Sequence, residues 1–190
     1  MQSTIVTDAS YTKTVSLSAA KQHLGIGTNG FDSQVEIALA AAIDWCERYT
    51  GRTLRPELTR RDTFRTWSEV CQPFDYLPIT SIVSVEYYNT SGDLQTVDAA
   101  DYRLLASTHG VAKLELAANY NPPQVFDRGD AIRREYKTGY ASTAEIPPAG
   151  IQGILSMLLI FYGDLSPAEL LRHEAAAKNT LAPICQGVYQ

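Results

Sequence analysis

The stretch FDSQVEIALAAAIDWCERYTGRTL, residues 31–54, constrains the fold of this chain more than any other segment. Apolar residues recur at Val35, Leu39, Ala42, Ile43, Cys46 and Tyr49, and spacings of three and four place them on one side of a helix. Ala38, Ala41 and Trp45 widen that stripe until it can face two neighbours. Asp32 or Asn29 is expected to cap the start, and Gly51 suits the left-handed position that terminates a helix. This is a packing element rather than a reaction centre.

Other helices announce themselves by their ends. Ser16 is expected to cap a short helix over Leu17–Leu24, with Gly25 as its stop. Pro147 and Pro148 open a later helix, where the first N–H groups have no intrahelical partner to lose. Its stripe is Ile151, Ile154, Leu155, Leu158, Leu159 and Tyr162, while Met157, Ile160 and Phe161 make it apolar nearly all round. Such a helix is buried on several sides, within the fold or against another subunit. Ser166, Pro167 and Glu169 then form a capping box for a helix that runs toward Leu181 and breaks at Pro183.

Between these helices, residues 58–138 change to the period of strands. Val83, Val85 and Tyr87 alternate with Ser84, Glu86 and Tyr88, and the cluster Asn89-Thr90-Ser91-Gly92-Asp93 turns the chain, as in a meander. Further strands are expected at residues 94–97, Tyr102–Ala106, Ala112–Leu116 with Lys113 and Glu115 facing out, and Ile132–Thr138; residues 119–123 read as an exposed loop. The predicted fold class is α+β: a helical bundle from residues 16–56 and 147–182, carrying a β-rich insert at 57–146 of about five to six mostly antiparallel strands. Residues 1–15 read as an N-terminal extension and 183–190 as a C-terminal tail, extended unless docked.

At 190 residues and 45% hydrophobic composition the chain can form a substantial core, burying roughly 70% of the surface of its unfolded form. A net charge of −5 without any block of like charge argues against a protein whose main work is gripping nucleic-acid phosphates. Cys46, Cys71 and Cys185 are odd in number, far apart and without C-x-x-C spacing, which disfavours a disulfide framework or zinc site and fits a reducing cytoplasm. The N-terminal residues lack the pattern of a secretion signal, and the most apolar run, at 151–162, falls short of the ~18 to 20 residues that span a bilayer.

No motif yields a reaction. Gly25-Ile26-Gly27-Thr28-Asn29-Gly30 satisfies G-x-G-x-x-G, but a helix, not a strand, precedes it, so a tight helix-to-helix turn explains the glycines. His23, His109 and His173 have no carboxylate or thiol at metal spacing and read as surface or capping residues. Asp93, Asp98 and Asp101 lack EF-hand spacing and read as solvated turn carboxylates. Asn89-Thr90-Ser91 matches a glycosylation acceptor, which matters only for an exported chain. Arg60, Arg61 and Arg65, and likewise Arg133, Arg134 and Lys137, are expected on a wet sheet surface or a small basic face toward an acidic partner. Catalytic residues, cofactors and metal ligands are therefore not expected. Eleven tyrosines against five phenylalanines suit surfaces that exist both open and closed, and with the all-round apolar helix they favour assembly.

As an ordered set, VSLSAAKQHLGI, AAIDWCERYTGRTL, LPITSIVSVEYYNTSGDLQTV, DYRLL and EYKTGYASTAEIPPAGIQGILSMLLIFY resemble the head-to-tail connector proteins of long-tailed bacteriophages, over residues 16–162. Most specific are Trp45-Cys46-Glu47-Arg48-Tyr49-Thr50-Gly51-Arg52 and the order Thr138-Gly139-Tyr140 then Ile146-Pro147-Pro148-Ala149. The resemblance implies a helical bundle carrying a β-domain and a structural virion protein without chemistry. In the virion neck such an adaptor, or head-completion protein, forms a ring, typically of twelve subunits, beneath the portal protein. It extends the DNA channel without sequence-specific binding and offers a platform to the next neck or tail protein.

On that reading the chain is made in the host cytoplasm, and Ala38, Ala41, Trp45, Met157, Ile160 and Phe161 are the expected subunit contacts. Leu181, Pro183, Ile184, Val188 and Tyr189 are the expected portal-docking residues. After Tyr162 the chain departs from the family pattern, with Gly163-Asp164-Leu165 in place of a polar end. Another phage neck or tail-completion protein is the alternative, with an enzyme and a DNA-binding regulator behind it.

Overall fold

The computed structural model describes residues 2–7, 14–27, 30–106 and 111–185. In chain order its elements are β1 (Gln2–Thr7), α1 (Leu17–Leu24), α2 (Asp32–Thr50), β2 (Leu58–Phe64), α3 (Trp67–Val70), β3 (Ile79–Tyr88), β4 (Leu94–Thr96), β5 (Tyr102–Ala106), β6 (Ala112–Leu116), β7 (Ile132–Thr138), α4 (Pro148–Tyr162) and α5 (Pro167–Leu181), with short 3-10 turns between some of them. They sort into two compact units, one of Met1–Asp8 with Glu57–Gly139, the other of Ala9–Pro56 with Tyr140–Gln190. The result is the expected α+β chain with a strand-rich insert.

In the helical unit, the ends follow the local chemistry. Ser16 Oγ accepts from the Ala19 N–H at 3.2 Å, and Gly25 closes α1 at φ +71°. Gly51 closes α2 at φ +66°. At α5, the Ser166 N–H donates to Glu169 Oε2 at 3.0 Å, one half of the capping box. The start of α2 differs from expectation: the cap position is Phe31, without a side-chain hydrogen bond. Asp32 is already helical and instead pairs with Lys21 of α1 at 2.6 Å, while Asn29 lies outside the described residues.

The core of this unit joins Val35, Leu39, Ile43 and Cys46 of α2 to Ile154 and Leu158 of α4 and to Ala177 and Leu181 of α5. Helix α4 packs against both α2 and α5. Tyr49, expected in the stripe, is exposed and stacks on Trp45 at 5.2 Å between ring centroids. Gly153 permits the close approach of α4 and α5, since a Cβ there would stand 2.5 Å from Leu181 Cδ2. Gly153→Ala will therefore lower stability by about 1–3 kcal/mol, as overpacking does, in a thermal melt followed by circular dichroism.

A buried charge also sits in this unit. Glu47 is enclosed together with Arg55; Glu47 Oε1 accepts from the backbone N–H groups of Leu54 (2.8 Å) and Arg55 (3.2 Å), and Oε2 from Arg55 Nη2 at 2.8 Å. One carboxylate thus fixes the chain where it leaves α2.

The β unit holds a five-stranded antiparallel sheet in the order β1-β2-β7-β3-β4, and a separate pair, β5-β6. It is not a meander, because the last strand in sequence, β7, lies between β2 and β3. Residues 2–7, expected as part of an extension, pair with β2, Gln2 opposite Thr63 and Ile5 opposite Arg60. In β3 the alternation breaks at Val83: Ile82 faces Tyr136 and Ser84 faces Glu135, so Val83 is an extra, exposed residue, and Val85 returns to the core. The turn at Asn89 forms as expected, its Oδ1 accepting from the N–H groups of Ser91 and Asp93.

The basic residues of this sheet do not form a basic face. Arg60 and Arg134 point inward, on the same parity as Leu58, Phe64, Ile132 and Tyr136, all of them buried. Arg134 is fully buried beside Asp62 at 2.7 Å, it donates to the carbonyls of Val70 (2.7 Å) and Gln72 (3.0 Å), and its guanidinium stacks 3.8 Å from the Phe74 ring centre. Arg60 lies 3.7 Å over the ring of Tyr76. The remaining four are neutralised by carboxylates: Arg61 by Glu135, Arg65 by Asp127, Arg133 by Asp130 and Lys137 by Glu57.

Candidate functional site

His23 is exposed on α1 and His173 half-buried on α5, whereas His109 lies outside the described residues. Asp98 accepts from the Ala100 N–H at 2.9 Å to cap a 3-10 turn, and Asp93 belongs to the Asn89 turn. Among the described residues no group of three or more His, Cys, Asp or Glu side chains could hold a metal ion. None of the described helices is long and apolar enough to cross a membrane.

The cysteines are free thiols among the described residues. Burial, with the neighbouring Glu47 carboxylate, pushes the Cys46 thiol up to about 12, so almost none is thiolate at neutral pH. Cys46 will stay unmodified by iodoacetamide in the folded protein and react fully once the chain is unfolded in guanidinium, as intact-mass spectrometry would read. Burial likewise raises the phenol of Tyr136 well above its ordinary value, and the Asp62 carboxylate adds to the effect. Tyr136 donates its O–H to Asp62 Oδ1 at 3.2 Å and closes the network around Arg134.

The surfaces carry the remaining interest. Of the expected subunit contacts, Ala38 and Met157 are buried in the helical core, because the stripes they belong to are satisfied within this unit. Ala41, Trp45 and Ile160 are half-buried, and Phe161 is 43% exposed. Of the expected docking residues, Leu181 is fully buried against the Gly153 position, which withdraws it from any outside partner. Pro183 is exposed in the 3-10 turn Ala182–Ile184, and the Ile184 carbonyl accepts from Arg52 Nε at 2.5 Å. Val188 and Tyr189 lie outside the described residues.

Two surface residues escaped the sequence reading: Ile37 on α2, 72% exposed, and Leu171 on α5, 69% exposed. Ile37 stands among Ser33, Gln34 and Glu36, off the apolar stripe, and that misplacement was its signal. Leu171 follows Leu170 immediately, and two adjacent leucines cannot both face one core from a helix.

Comparison with known proteins bears on this arrangement. The family model of the phage gp6-like head-tail connector proteins matches residues 14–114, and no curated protein matches the sequence. The fold is similar to a chain in the neck of an empty gene transfer agent (GTA) particle computed with C6 symmetry, with a TM-score of 0.72 and 18% identity over 93% of this chain and 95% of that one. A chain in the virion of a native gene transfer agent particle gives 0.71 and 18% over 93% and 94%, and one in the neck of the native particle computed with C12 symmetry gives 0.68 and 17% over 93% and 94%. At such identities the likeness is one of fold. The family match spans more than half of the chain, from Thr14 ahead of α1 to Leu114 in β6, and both units are built as the resemblance implied; the chain belongs to the phage gp6-like head-tail connector protein family, the structural proteins that join head and tail.

Proposed function

We propose that this connector assembles as a closed ring of twelve copies beneath the portal protein, extends the DNA channel, and offers its far side to the next neck or tail protein. The role is structural, and the chain is made in the host cytoplasm before it joins the neck. The observation that carries the reading is the family match together with a fold shared over 93% of the chain with a protein from a neck computed with C12 symmetry. A ring needs two complementary, non-identical faces on each copy and a rotation that closes. The outer sides of Ala41, Trp45, Ile160 and Phe161 are offered as contributors to those faces, and Pro183, Ile184, Val188 and Tyr189 to portal docking. A net charge of −5 suits a passage through which DNA slides without phosphate neutralisation.

The test is reconstitution. Purified protein is added to DNA-filled, portal-bearing heads that lack it, and the heads are imaged by cryo-microscopy and assayed for tail attachment. A new ring against the portal with restored attachment is the expected result. Density further along the tail would assign the chain to a tail-completion role, and absence of both density and rescue would refute the proposal.

A further inference from the structure

Helix α5 ends at Leu181, yet Ala182–Ile184 and Cys185 stay fastened to the helical unit. Residues that follow the last helix of a domain usually fray unless something ties them down. Here three side chains do so. Arg52, just past α2, donates its Nε–H to the Ile184 carbonyl at 2.5 Å, across 132 residues of sequence. The backbone of Arg52 is itself fixed, because its N–H donates to Thr50 Oγ1 at 3.2 Å and that hydroxyl donates to the Cys46 carbonyl at 2.7 Å. Ile184 packs on the helical core; a Cβ on Gly150 would stand 3.7 Å from Ile184 Cδ1 and 3.2 Å from Leu54 Cδ2, so a bare glycine keeps this seat open. The Cys185 thiol lies within reach of the carbonyls of Leu181 at 3.4 Å and Tyr49 at 3.9 Å.

None of this is needed to end α5. Leu181 is already fully buried, and Pro183 cannot continue an α-helix. What the ties do is fix where the chain leaves the helical unit. We infer that Arg52 is a positioning residue for portal docking: by holding the Ile184 carbonyl it sets the point from which Val188 and Tyr189 reach the portal. The inference rests on the docking reading above and adds the residue that aims it. Tyr189 is the fourth residue after Cys185, so an extended chain carries it at most about 14 Å from that root. Without the clasp the root retreats to the buried Leu181, and the tether to Tyr189 doubles from four residues to eight. The effective concentration at a fixed site then falls about threefold per copy, roughly as the −3/2 power of tether length. A ring multiplies that loss over its copies, so occupancy is expected to drop about tenfold at limiting protein.

The test uses the full chain on portal-bearing heads at limiting protein, with bound protein per head as the readout. Arg52→Ala should lower occupancy about tenfold, and Arg52→Lys, whose ammonium can still donate to a carbonyl, should recover most of it. Val188→Ser with Tyr189→Ser removes what the tether carries and should lower occupancy at least as far. Adding Arg52→Ala to that pair should then change nothing more, which a merely structural role would not give. A Gly-Ser-Gly-Ser insertion between Cys185 and Gln186 lengthens the tether without touching any tie and should reproduce the loss, whatever Arg52→Ala does to the circular dichroism melt. Unchanged occupancy in Arg52→Ala or in the insertion overturns the clasp, as does an Arg52→Ala loss that persists in full beside Val188→Ser and Tyr189→Ser. If Val188→Ser with Tyr189→Ser leaves occupancy unchanged, the docking residues and the clasp both fall while the ring reading stands. If the parent does not bind the heads, the ring reading falls and the clasp with it.

Discussion

Asp62→Ala will destabilise the protein by about 3–5 kcal/mol, measured as a shift of the urea midpoint at unchanged slope. Asp62 and Arg134 are both 0% exposed, and the carboxylate is the counter-ion of a guanidinium packed against Phe64, Phe74 and Tyr136. An arginine cannot shed its proton to escape the mismatch, so removing Asp62 leaves a buried full charge whose hydrogen bonds go only to the carbonyls of Val70 and Gln72. Arg134 Nε already lacks a hydrogen-bond partner, and the Tyr136 hydroxyl would lose its acceptor as well. The variant Asp62→Leu with Arg134→Met removes both charges and should recover most of the loss. A double variant no more stable than Asp62→Ala would show that the ring stacking and the carbonyl bonds of Arg134, rather than its ion pair, dominate.

Glu47→Ala is expected to cost a similar amount, about 3–5 kcal/mol, for a related reason. It takes the carboxylate from Arg55, which is buried at 2% side-chain exposure, and the acceptor from the N–H groups of Leu54 and Arg55. Because those groups hold the chain just past Gly51, hydrogen exchange at residues 52–55 should accelerate well beyond the change elsewhere. Glu47→Gln keeps an acceptor oxygen and should fall between the parent and the alanine variant. Unchanged exchange at 52–55 would mean that Gly51 and the packing of Leu54 suffice to hold this segment.

The features read correctly from sequence are those written locally. Ser16 and Gly25 bracket α1, Gly51 ends α2, Pro148 opens α4, and the Ser166–Glu169 pair opens α5; each signal acts within a few residues of the backbone group it satisfies. Strand order is not local. Gln2–Thr7 carries no turn signal and becomes a strand only because β2 offers an edge far along the chain. The inward charges had a legible trace: Arg60 and Asp62 share the parity of Leu58 and Phe64, and Arg134 that of Ile132 and Tyr136, so a period-of-two reading places them inside with the apolar residues. The general rule that arginine faces water points the other way. A wide apolar stripe does not say whether its second neighbour is another helix of the same chain or another copy, and for Ala38 and Met157 it is the core of their own helical unit. Ile37 is the converse case, an exposed apolar residue outside the stripe that defines the helix.

The central place of β7 bears on how the chain is made. As it leaves the ribosome, β2 and β3 emerge with nothing to bridge them until residues 132–138 of 190 have been translated. The sheet must wait for nearly three-quarters of the chain, and its nascent strands stay exposed to wrong pairings during the wait. Slowing translation before β7 should therefore raise the misfolded yield, whereas a pause after it should not.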